Sequence, residues 1–176
     1  MTTATELETQ AARHAVALMA AAARTAPKTR GVDNIQVLAI DDEPTKQKLI
    51  AKMREIAGKE NRPGFARDAG NIEPSPAILV IGVAANTAGL NCGYCGKPTC
   101  EALEDAGGIC AFNSIDLGIA AASAAEIAGR LHLDNRVMYS IGRAGLDLKM
   151  FDDKVRQALG IPLSVTGKNP FFDRKA

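Results

Sequence analysis

The sequence predicts an α+β fold, a central sheet flanked by helices, with a four-cysteine loop inserted into it. Three observations carry this reading. Short β-branched runs at 35–40 and 77–84 have the composition of buried strands. Ala-rich stretches at 6–24 and 115–131 carry apolar residues at helical spacing. All four cysteines of the 176-residue chain fall within positions 92–110.

The elements follow in order. Leu7, Ala11, Ala15, Leu18, Met19, Ala22 and Ala23 make an apolar stripe along a first helix, which Pro27 stops near Thr25. Residues 25–34 have a loop composition and bring Arg24, Lys28 and Arg30 together. That segment reads either as a solvated basic turn or as an anion-binding loop. A strand at 35–40 leads to a helix over 44–56, capped by Asp41 or Asp42. Residues 58–76, rich in Gly and Pro, read as irregular, and 77–84 as a second buried strand. Thr99–Ala106 suits a helical turn. The helix over 115–131 is apolar nearly all round, which places it centrally or at a subunit interface. The remainder reads as a strand over 137–141, a helix from Asp152 or Asp153 to Leu159, and an edge strand over 161–166 containing Pro162. The whole, 1–176, reads as one domain with the cysteine segment 91–111 inserted after the second strand.

Composition narrows the function. The net charge of +1 gives no surplus of cations for neutralising phosphates, and the absence of Trp with only two Tyr removes an aromatic platform for single strands, so nucleic acid is not an expected partner. No apolar run approaches the ~20 residues of a membrane helix, and Thr2–Gln10 is polar and acidic, so no membrane association and a cytoplasmic location are expected. There is no Gly-x-Gly-x-x-Gly and no P-loop. His14 and His132 lie far from the cysteines and read as helix-surface residues, while Asp116 and Glu126 read as either buried polar groups or an exposed stripe.

Cys92, Cys95, Cys100 and Cys110 are spaced C-x2-C-x4-C-x9-C. A disulfide framework would spread its cysteines over distant segments, whereas clustering suits a metal or redox centre. In a C-x2-C pair two thiolates face one centre across a tight turn, and Gly93 and Gly96 leave backbone N–H groups free to meet sulfur. Four thiolates suit a 4Fe-4S or 2Fe-2S cluster, and they also suit structural zinc. Zinc sites usually show two close pairs, and here only the first pair is close. Disulfides or free thiols are the remaining alternative.

The run CGYCGKPTC at 92–100 resembles the cluster motif of small 4Fe-4S domains such as those of corrinoid iron–sulfur proteins. With 23–34, 134–142 and 160–174 it makes the chain resemble the family of unknown function described as containing a ferredoxin domain. A second resemblance is to nitroreductase-like flavoproteins. It rests on Ala22-Ala-Arg-Thr-Ala-Pro-Lys28 after the first helix, on the apolar helix after Asp116 and on Ala158-Leu-Gly-Ile-Pro162. That likeness implies a nitroreductase-like sheet, a homodimer and FMN at its interface. The residues it assigns to FMN are Arg13, Lys28, Arg30 and Arg174, of which Arg13 and Arg174 also suit plain surface charges. Lys28 stands where that family usually has Ser, and Arg13 is followed by His-Ala-Val rather than Ser-x-Arg.

The expected function is therefore a 4Fe-4S redox protein, an FMN-dependent oxidoreductase passing electrons between flavin and cluster, with a redox partner protein or a small-molecule electron acceptor. The alternatives are a ferredoxin-like carrier or cluster-based sensor without flavin, and a zinc-clipped structural protein.

Overall fold

In chain order the computed structural model, which describes residues 1–172, contains helix α1 (Ala4–Thr25), strand β1 (Ile35–Ile40), helices α2 (Glu43–Lys59) and α3 (Pro63–Ile72), and strand β2 (Ala77–Ala84). Then come helices α4 (Cys100–Asp105) and α5 (Ala111–Arg130), strand β3 (Asp134–Asn135), helix α6 (Tyr139–Asp147) and strand β4 (Val155–Ser164). The strands form one antiparallel sheet in the order β1-β2-β4-β3.

The sheet has two covered faces, and the period of two along β2 assigns its side chains to them. Leu79, Ile81 and Val83 point into a core with α1 and α5, through Met19, Ala23, Ala120 and Ala124. Ile78 and Val80 point to the opposite side, where Leu49, Met53, Phe65, Ile72 and Ile141 of α2, α3 and α6 pack. All eight residues of β2 are buried, which is why its sequence is a continuous apolar run rather than an alternating one.

Local signals set the ends of the early elements. Thr3 and Glu6 form a reciprocal capping box at the start of α1. Asp42 accepts from the Thr45 N–H at 2.8 Å and caps α2, with Pro44 in its first turn. That hydrogen bond holds the Asp42 carboxyl below its ordinary value.

Three expectations are corrected. The stretch 58–76 is not wholly irregular, because Pro63 opens α3 at a position where its missing N–H is harmless. The strand expected over 137–141 is mostly helix: Met138 bridges Gly160 and the chain then turns into α6. The helix expected from Asp152 and the edge strand expected over 161–166 are one strand, β4, paired on both sides. Gly160 exchanges both backbone bonds with Met138, so two residues on, the N side of Pro162 faces the same way. There β3 has ended and no donor is needed, which lets proline sit inside a paired strand. No helix of the described residues is long and apolar enough to cross a membrane.

Candidate metal centre

The cysteine segment links the end of β2 to the start of α5. Its base is fixed by buried Asn113, whose amide donates to the carbonyls of Ala84 at 3.0 Å and Asn86 at 2.8 Å. Asn86 in turn donates to Asn34 Oδ1 at 2.9 Å, and Thr87 donates to Glu104 Oε1 at 2.6 Å. The loop is thereby held to β1, to α4 and to α5.

Beyond Leu90 the backbone curls through left-handed conformations at Asn91 (φ 47°), Gly93 (φ 74°) and Gly96 (φ 77°). A side chain at Gly93 or Gly96 would have room, but the positive φ makes glycine the unstrained choice. Gly96 N–H closes the turn onto Gly93 O at 2.9 Å, and the turn carries Cys92 and Cys95. Thr99 accepts from the Ala102 N–H and caps α4, which begins at Cys100. Cys110 stands at the N-cap of α5.

All four thiols are free and all four line one pocket. Leu90, Tyr94, Leu103 and Phe112 supply apolar wall. Tyr94 meets Phe112 edge to face, with ring centroids 5.7 Å apart. Cys110 is buried, Cys95 and Cys100 are half-buried and Cys92 is exposed, so the site has an inner and an outer side. Asn91 and Cys100 are doubly joined. The Asn91 N–H donates to Cys100 Sγ at 3.4 Å, and the Cys100 N–H donates to Asn91 Oδ1 at 2.8 Å. Among the described residues no three His, Cys, Asp or Glu side chains form a group that could hold a single metal ion.

The described basic residues lie at two separate places. Lys28 donates to the carbonyls of Arg24 and Ala26 and so closes the C-terminal end of α1. Arg30, itself left-handed (φ 57°), donates from Nη1 to Ala88 O at 2.9 Å and ties the basic turn to the cysteine loop. Arg13 sits at the other end of β1, donating to Asp41 O at 3.1 Å. Arg174 lies outside the described residues. Of the three described, Lys28 and Arg30 share the basic turn, where Lys28 bonds back onto the end of α1 and Arg30 reaches toward the cysteine segment.

Some residues of the site carry little signal in the sequence. Asn91 and Asn113 are ordinary polar residues next to more conspicuous neighbours. Asp116 is buried and binds Thr29, whereas Glu126 is exposed and pairs with Arg130 one helical turn on. His14 and His132 are exposed.

The fold resembles that of the nitroreductase-like proteins. A nitroreductase with bound FMN from Desulfitobacterium hafniense superposes with a TM-score of 0.62 at 16% identity, over 88% of this chain and 78% of that one. A nitroreductase family protein from Clostridium novyi gives a TM-score of 0.59 at 14% identity, over 87% of this chain and 74% of that one. The chain itself belongs to the family described as uncharacterized protein containing a ferredoxin domain. The family model matches residues 106–174, a segment that includes Cys110 but not the three earlier cysteines. An uncharacterized protein of Archaeoglobus fulgidus is 40% identical over 178 residues, covering 96% of this chain and 95% of that protein. Family and fold together suggest a redox protein.

Proposed function

We propose that the chain is an iron–sulfur redox protein whose Cys92, Cys95, Cys100 and Cys110 ligate a 4Fe-4S cluster. The observation that carries this is the single pocket lined by all four free thiols. Soft thiolates select iron–sulfur clusters, zinc or Cu(I). A cubane holds its four ligands at its corners, farther apart than one tetrahedral ion does. One close cysteine pair with two singly spaced cysteines suits that arrangement better than zinc, whose sites usually show two close pairs. When bound, the cluster supplies one-electron transfer.

The chain's own residues divide the remaining work. Cys110 anchors the inner side at the N-cap of the 20-residue α5, where the helix dipole favours a thiolate. Leu103 and Phe112 keep water from that side. Exposed Cys92 and Tyr94 make the outer side, the place where a redox partner protein or small-molecule acceptor would approach. Free thiols in such a site suit the reducing cytoplasm.

A second cofactor, FMN, is supported by the nitroreductase-like fold, and a homodimer by an apolar surface on α1 and α5. Leu18, Ile115 and Ile119 stay exposed there. An open groove beside them is lined by Ala22, Thr25 and Pro27 on one wall and Ala122, Glu126 and Arg130 on the other. In the nitroreductase-like reading FMN lies at the dimer interface, so a flavin site here would draw on both copies. In that reading flavin mediates between two-electron and one-electron partners, and Lys28 and Arg30 stand on the route to the cysteine loop.

The test is an anaerobic purification followed by an absorption spectrum and by iron, sulfide, zinc and flavin analysis on one sample. About four iron and four sulfide per chain establish the cluster. Flavin in the same sample establishes the oxidoreductase reading, and cluster without flavin leaves a carrier or sensor. One zinc and no colour overturns the redox reading in favour of a structural clip.

A further inference from the structure

We infer that Asn91 is a positioning residue for the cluster, fixing the Cys100 sulfur and aiming at it an N–H group that sets the reduction potential. This rests on the cluster reading above. Two observations carry it. The first is the reciprocal pair, Asn91 N–H to Cys100 Sγ at 3.4 Å and Cys100 N–H to Asn91 Oδ1 at 2.8 Å. The second is the left-handed backbone of Asn91, φ 47°, the conformation that turns its N–H back toward a sulfur nine residues on. Asparagine adopts that region more readily than other non-glycine residues.

The two bonds close a ring across positions 91–100, so one side chain fastens the loop that carries Cys92, Cys95 and Cys100. The N–H stays aimed at sulfur because the amide oxygen holds the partner's backbone in place. A hydrogen bond to a ligating sulfur favours the more negative state of the cluster. It therefore raises the potential for adding one electron, which in the test below comes from a chemical reductant.

The experiment compares wild type, Asn91→Gly and Asn91→Asp, each loaded anaerobically with iron and sulfide. Glycine keeps the left-handed turn and deletes the amide. Aspartate keeps an acceptor for the Cys100 N–H. Iron content, circular dichroism, cluster lifetime under a chelator and the EPR-monitored midpoint potential are measured. Asn91→Gly is expected to shift the reduction equilibrium about tenfold toward the oxidised form, about 59 mV for a one-electron couple. It is also expected to lose its cluster faster, while Asn91→Asp keeps wild-type iron content. An Asn91→Gly protein that takes up no cluster where Asn91→Asp does also supports the inference.

Wild-type potential and lifetime in Asn91→Gly overturn the role of Asn91 and leave the cluster standing. Folded variants that both fail to take up iron overturn it too, because the retained acceptor then makes no difference. A wild-type chain that holds no iron overturns the cluster reading itself, and the role of Asn91 with it.

Discussion

The buried carboxylate of Asp116 accepts the Thr29 N–H with both oxygens at 3.1 Å and the Thr29 hydroxyl with Oδ1 at 2.9 Å. One side chain near the start of α5 thereby holds the basic turn 87 residues away, and Arg30 passes that hold on to Ala88 in the cysteine loop. The two regions suggested for cofactors are thus joined by hydrogen bonds, part-buried between Asp116 and Thr29 and exposed between Arg30 and Ala88.

Asp116→Ala leaves the Thr29 N–H and hydroxyl without a partner. The expected loss is about 1–3 kcal/mol of unfolding free energy, read from chemical denaturation of the purified protein. Asp116→Asn keeps an acceptor and should lose less. Equal losses in the two variants would show that filling the space, not the hydrogen bonds, is what matters there.

Cys95→Ser removes a thiolate from an exposed loop that contributes little to either core. Bound iron should fall by more than half while the far-UV circular dichroism stays at the wild-type level. Cys110→Ser, at the buried side, should lose at least as much iron. Iron retained in full in both variants would exclude these residues as ligands.

Gly142 lies where α6 crosses β4, and a Cβ there would stand 1.8 Å from the Ala158 carbonyl oxygen. The backbone would have to move, so Gly142→Ala should cost about 3 kcal/mol or more. Gly58, in α2, has open space around its missing Cβ. Gly58→Ala should instead stabilise by about 0.5–1 kcal/mol, the helix propensity difference. Thermal melts of the two variants should move in opposite directions.

Glu55 receives hydrogen bonds from Lys52 and then Lys59, which hold its carboxyl down to about 2 from 4.5. A folded-state value below the unfolded one contributes stability above the unfolded value, and that contribution is lost as pH falls through the folded value. The melting-temperature gap between wild type and Glu55→Gln should be present at neutral pH and close as pH falls from about 4.5 toward 2. The pair is on the surface, so added salt should shrink the gap. A gap that widens on acidification would contradict the assignment.

The elements that were legible in the sequence are those whose signals are local. Pro27 just past the end of α1, Asp42 with Pro44, and the unbroken apolar run of β2 each announce themselves within a few residues. The missed elements depend on neighbours far along the chain. In β4, Val155–Gly160 lacks a clean alternation, Asp152 and Asp153 imitate a helix cap, and Pro162 is allowed only because β3 stops short of it. In α6, Gly142 looks like a helix breaker, yet close approach to Ala158 requires it.

By itself the sequence determined the candidate ligands: four cysteines within 19 residues, with glycines placed for a tight turn and a helix opening after the last cysteine. These are covalent facts and short-range backbone preferences, which neighbours in space do not alter. Only the tertiary structure decided that Cys110 faces inward and Cys92 outward, that Asn91 closes on Cys100, and that Arg13 stands apart from Lys28 and Arg30. Those outcomes depend on how the sheet orders its strands and on which end of α1 meets the cysteine loop. Such relations are fixed by long-range burial of apolar faces, and no window of neighbouring residues contains them.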